Sequence, residues 1–120
     1  MAIWTISTVD VEPELALCGW RIFEATYAGS SEATTLHFVG CCAERSKSRV
    51  STAIRFLDLQ KRHGRTASGR VYELLGEPDV SREADYFWHV YADLSAVASW
   101  RDVTREVLAA GESHRFNSTQ

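Results

Sequence analysis

Residues 66–91 read TASGRVYELLGEPDVSREADYFWHVY, and the fold of the whole chain follows from how this stretch is read. Its first half alternates, with Val71 between Arg70 and Tyr72, which is the period of a strand. Gly76 and Pro78 then break the run. Its second half places Ala84, Phe87, Trp88, Tyr91 and Leu94 on one face of a helix. Phe87 and Trp88 lie side by side there, and two large rings need a broad apolar surface to cover; a sheet supplies one. The expected architecture is α+β: a curved antiparallel sheet of about five strands, an amphipathic helix over residues 81–94 packed on it, and a short C-terminal helix.

Towards the N-terminus, residues 2–9 predict a first strand with Trp4 and Ile6 on one face, followed by an acidic loop over residues 10–14. Residues 15–27 predict a second strand. Cys18, Trp20 and Ile22 share one face, Phe23 and Ala25 take the other, and Gly19 marks a bulge. Residues 28–32, AGSSE, read as a hairpin loop. Residues 34–42 form the third strand, with Leu36 and Phe38 on one face and His37 and Val39 on the other. After a polar tract over 43–48, Val50, Thr52, Ile54 and Phe56 alternate through a fourth strand at 49–59. QKRHGR at 60–65 is a charged hairpin tip, and 66–75 is the fifth strand. Short links between successive strands predict antiparallel neighbours.

Towards the C-terminus, Asp79 or Ser81 caps the helix, and Glu83 and Asp85 in its first turn suit the dipole. Val103 and Val107, with Gly111 in the C′ position, predict a second helix from about Arg101 to Ala110. Residues 1–111 form a single domain, and the polar residues 112–120 a flexible tail.

Composition narrows the class. At 120 residues and 45% hydrophobic, the chain holds enough apolar mass for one core. No apolar run approaches the ~20 residues of a membrane helix. The N-terminus turns acidic where a signal peptide stays apolar, so a cytoplasmic protein with no membrane partner is expected. Cys18, Cys41 and Cys42 are odd in number, and neighbours on a strand point to opposite faces, so reduced thiols are expected. There is no C-x-x-C and no close His pair, so neither metal nor cofactor is expected.

Charge is segregated. Residues 44–70 carry eight bases and two acids, a net of +6, which leaves −9 elsewhere in a chain of net −3. Arg55, Lys61, Arg62, Arg65 and Arg70, with Arg49, lie along the basic hairpin at 49–70. Its plain reading is a solvated sheet face that discourages edge pairing. Beyond that it is a protein-binding patch or, as an alternative function, a nucleic-acid site. On the acidic side, Tyr86 falls about 100° off the apolar stripe of the helix. Together with Asp93 and Trp100 it makes an interface candidate. A thiolate–imidazole pair from Cys41 or Cys42 with His37 or His63, or a carboxylate pair among Glu73, Glu77, Asp79, Glu83 and Asp85, lacks any spacing that specifies catalysis, so an enzyme is not expected. His89, on the helix beside Trp88, reads as a surface or boundary residue.

The blocks RVSTAI at 49–54, SGRVYEL at 68–74, GEP at 76–78, ADYFW at 84–88 and DVT at 102–104 resemble small bacterial accessory proteins carried on prophages and mobile elements. The resemblance covers about the last two-thirds of the chain. It implies a context and no site residue: a small accessory protein that binds and blocks a host protein complex. Anti-CRISPR inhibitors of bacterial defence complexes, which act by steric occlusion, are of this kind. Separately, an edge strand or spare aromatics could pair two copies, so a monomer or homodimer is expected.

Overall fold

The strand at Glu14–Tyr27 (β1) runs through the middle of the sheet and is apolar on both faces. The structure, a computed structural model, describes residues 14–27, 34–42, 47–78, 83–110 and 114–115. The expected strand at 2–9, the loops at 10–13, 28–32 and 43–46, the caps Asp79 and Ser81, and Gly111 lie outside the described residues.

In β1, Leu15, Leu17, Trp20 and Ile22 face one apolar layer, while Phe23 and Ala25 face another. Strict alternation would put Cys18 with Trp20 and Ile22. The register with β2 instead shifts between Cys18 and Arg21, where Gly19 adopts a positive φ of 57°. The bulge expected at Gly19 therefore reverses the faces, and Leu15 and Leu17 join Trp20 while Cys18 is turned to the other side.

The rest of the α+β fold assembles around β1. Thr34–Cys42 (β2) pairs antiparallel along one edge, and Lys47–Val50 (β3) pairs on β2. The sequence pattern predicts one strand over 49–59, but the chain leaves the ladder at Ser51. The Ser51 N–H bonds the Phe38 carbonyl at 2.9 Å, and its Oγ accepts the Phe38 N–H at 2.9 Å. The chain resumes as Ile54–Asp58 (β4), where a second register shift sends Leu57 rather than Phe56 into the core.

The expected strand at 66–75 is likewise two. His63–Thr66 (β5) and Val71–Leu75 (β6) form a hairpin closed by a 2.8 Å bond from the Gly69 N–H to the Thr66 carbonyl. Asp58 Oδ1 accepts the N–H groups of Gln60 and Lys61, which tightens the preceding turn.

β6 pairs parallel with the first half of β1, contrary to the all-antiparallel expectation. That expectation holds for strands joined by short loops, and β1 and β6 are separated by four other strands. The second half of the same edge takes Val97–Asp102 (β7), antiparallel. Residues 101–102 thus belong to a strand, and the C-terminal helix begins later, at Thr104–Ala110 (α2). Within the expected tail, His114–Arg115 (β8) pairs on β4. Among the described residues there are eight strands, in an open sheet ordered β3-β2-β1-β6-β5-β4-β8 with β7 beside β1.

The link between β3 and β4 is three residues, although these strands belong to opposite ends of that order. The two ends must therefore lie close in space. Between them sit Leu17, Trp20, Ile22, Phe38, Leu57, Tyr72 and Leu74. On the opposite face of β1 lies the helix Glu83–Leu94 (α1). Its buried stripe is Ala84, Trp88 and Ala92, with Phe87 and Tyr91 at the margin. Leu94 was the expected end of that stripe and is instead 69% exposed, because the helix stops there and Ala96, with φ of 59°, turns the chain into β7. Trp88 stacks on Phe23 with centroids 4.9 Å apart, a pairing worth about 0.5–1.5 kcal/mol beyond area burial.

Gly64 is tightly enclosed by the first layer. A Cβ there would meet Phe38 Cζ at 2.6 Å and the Phe56 carbonyl at 2.8 Å. Gly64→Ala is expected to destabilise the fold by about 1–3 kcal/mol in urea unfolding, while the exposed Lys61→Ala changes stability by less than about 0.5 kcal/mol.

Candidate partner-binding surface

α1 buries one side and leaves a polar and aromatic side uncovered. Tyr86, His89 and Asp93 follow one another at i, i+3 and i+7, which puts them on one face over about two turns. Tyr86 is 62% exposed and rests edge-on against Phe87, with centroids 5.2 Å apart. His89 and Asp93 are exposed, as are Asp85 and Leu94. Trp100 of β7 reaches the same face. Its ring meets His89 at 4.8 Å, Phe23 at 5.7 Å and Trp88 at 6.2 Å, and it stays 38% exposed.

The structure thus joins Tyr86, Asp93 and Trp100 in one patch, with His89 as the bridge between helix and strand. The helix contributes no Lys or Arg to it. His89 carried no signal of this role in the sequence, because Trp100 meets it only after the chain has reversed at Ala96.

The basic hairpin does not present all its charges outward. Lys61 and Arg65 are exposed and Arg55 is half-buried. Arg62 lies over the Trp20 ring at 5.6 Å, donates to the Gly76 carbonyl at 3.1 Å and faces Glu77 at 3.6 Å. Arg70 is only 2% exposed and Arg49 only 4%. Both lie near Tyr72 inside the first layer. Burial pushes the Tyr72 phenol up, and the charges of Arg49 and Arg70 partly offset that. Arg49 donates Nη1 to Cys42 Sγ at 3.6 Å, while its Nε and Nη2 have no hydrogen-bond partner among the described residues. Both bases are turned inward, so they cannot serve a surface patch.

Two further arrangements escaped the sequence reading. Beneath α2, a cavity of about 230 Å³ is lined by Leu36, Val103 and Val107, with Glu24, Arg101 and Glu106 at its polar rim. Arg101 bridges Glu24 at 3.1 Å and Glu106 at 2.9 Å. The start of α2 is anchored there. The Asp102 carboxylate accepts the Thr104 N–H and hydroxyl at 2.9 and 2.6 Å and pairs with Arg21. Burial raises the Asp102 pKa, but the bonds from Thr104 and Arg21 outweigh that and hold it below its ordinary value.

The second arrangement lies under α1. The buried His37 faces the Ser51 carbonyl through Nδ1 at 2.8 Å, and a carbonyl only accepts, so Nδ1 carries the proton. Nε2 of the neutral ring is then an acceptor for Thr35 Oγ1 at 2.7 Å and for the Tyr27 hydroxyl at 3.2 Å. Tyr27 and Tyr91 join their hydroxyls at 2.5 Å. Burial and the bond to Tyr91 raise the Tyr27 pKa, and desolvation lowers that of His37. The network tethers α1 to β1 and β2 through neutral groups. Among the described residues no three His, Cys, Asp or Glu side chains gather as a metal site would require.

Compared with family profiles, with curated proteins and with solved structures, the chain finds no match in any of the three. No described helix is long and apolar enough to cross a membrane.

A buried histidine with a lowered pKa binds its proton more readily in the unfolded chain. Stability is then fully present above the unfolded value of about 6.5 and is lost as pH falls below it, by at most about 1.4 kcal/mol per unit. The urea midpoint is expected to drop between pH 7.5 and pH 5.5, and His37→Gln to flatten that dependence whatever its effect on stability at neutral pH.

Proposed function

We propose that the protein is a non-enzymatic, phage-type inhibitor, anti-CRISPR-like in mode, whose α1–β7 face occludes a basic surface of a bacterial defence complex in the cytoplasm. The observation that carries this reading is the joining of Tyr86, His89, Asp93 and Trp100 on one exposed face with no Lys or Arg on the helix. Exposed aromatic rings supply large contact area at small entropic cost, and flanking carboxylates steer a basic partner and fix its orientation. Asp85 and Asp93 flank Tyr86 and His89 along the helix. The alternative, a nucleic-acid contact along the basic hairpin, keeps Lys61, Arg65 and Arg55 but loses Arg49 and Arg70 to the core.

Expressed in a strain with active CRISPR interference, the protein is expected to raise phage plating efficiency. Tyr86→Ala combined with Asp93→Lys is expected to abolish that effect while leaving the urea midpoint within about 0.5 kcal/mol of the original stability. A protein that leaves plating unchanged and captures no defence complex from the same cells refutes the reading. Salt-sensitive retention on DNA, lost in Lys61→Ala/Arg65→Ala, would transfer the function to the basic hairpin.

A further inference from the structure

The ladder between β1 and β2 sets Cys18 directly opposite Cys41. Residues opposed in an antiparallel pair have Cα atoms about 4.5–5.5 Å apart and side chains on the same face. That separation lies inside the ~4.4–6.8 Å range that a disulfide spans. Cys18 Sγ already rests 3.5 Å from the Cys41 carbonyl oxygen, and both residues are half-buried, so a small reagent can reach them. The β1–β2 register shifts at Gly19, immediately beside Cys18. Cys42 is excluded from the pairing. It is buried on the opposite face of β2, against Arg49 Nη1.

We propose that Cys18 and Cys41 form a reversible dithiol–disulfide site that takes low-molecular-weight disulfides as its oxidant. One of the two thiols loses its proton and attacks a sulfur of the external disulfide, breaking that S–S bond and releasing one external thiolate. The second protein sulfur, after losing its proton, attacks the mixed disulfide on its protein side and displaces the other external thiolate. One S–S bond forms in the protein and one breaks in the reagent. The two-electron oxidation of the pair balances the two-electron reduction of the reagent, and the two protons end on the released thiols. The resulting cross-strand link would pin the β1–β2 register at the bulge. A half-buried disulfide in such a place belongs to the reducible class rather than the permanent one.

The folded chain is incubated with oxidised glutathione, its remaining thiols are alkylated, and the tryptic peptides are mapped. The expected result is protection of two of the three cysteines and a cross-link between the peptides 1–21 and 22–45, reversed by dithiothreitol. Cys42→Ser is expected to keep the cross-link. Cys41→Ser is expected to lose it and to carry a glutathione adduct on Cys18 instead. A Cys41–Cys42 bond, a cross-link that survives in Cys41→Ser, a link between chains, or a bond that forms only in urea would each overturn the assignment.

Discussion

Both faces of one central strand are withdrawn from water. In β1, Leu17, Trp20 and Ile22 are fully buried on one side, and Phe23 and Ala25 are fully buried on the other. A strand in that position must find partners along both edges and an apolar cover above and below. β2 satisfies one edge, while β6 and β7 divide the other, one parallel and one antiparallel. The β4–β5–β6 unit closes over one face and α1 over the other. Removing either cover would expose a row of large side chains, each worth about 1.5–3 kcal/mol when buried.

The same constraint determines where charge and polarity can go. Positions that alternate toward the first layer are buried whatever residue occupies them, and Arg49 and Arg70 are carried in with Tyr72. In the second layer His37 remains neutral, its ring held between the Ser51 carbonyl and the hydroxyls of Thr35 and Tyr27. His37 is tolerated because its neighbours supply hydrogen bonds, whereas Arg49 leaves Nε and Nη2 without a partner among the described residues; an unpaired buried polar atom costs about 1–3 kcal/mol. The outer face of α1 is under no such obligation. Its carboxylates and rings hold nothing in the core except through Trp100, and this leaves them available for contact with another molecule.

The aromatic helix, its Trp88 anchor and its end at Leu94 were legible from 3.6-residue spacing, and the Gly19 bulge from a glycine inside an alternating run. So were β2 and its two faces, because Leu36 and Phe38 against His37 and Val39 is a local pattern. Tyr86, Asp93 and Trp100 could be named singly. The turn at Ala96 and the pairing of β7 on β1 were needed to bring Trp100 beside His89, and no periodicity encodes an encounter between separate elements.

Alternation and helical spacing, then, sufficed to place β1, β2 and α1 and the buried stripe Ala84–Trp88, because both depend on neighbours a few residues away; they carried no sign of β7 or β8. Where a strand stops and changes partner was decided by tertiary structure alone. At Ser51 and again at Thr66–Arg70 the backbone exchanges one ladder for another while the side-chain pattern continues unbroken. The opposition of Cys18 to Cys41 comes from the bulged β1–β2 register; the parallel pairing of β6 follows from that choice of partner. It depends on the energy of closing two layers at once, a quantity that no single stretch of the chain contains.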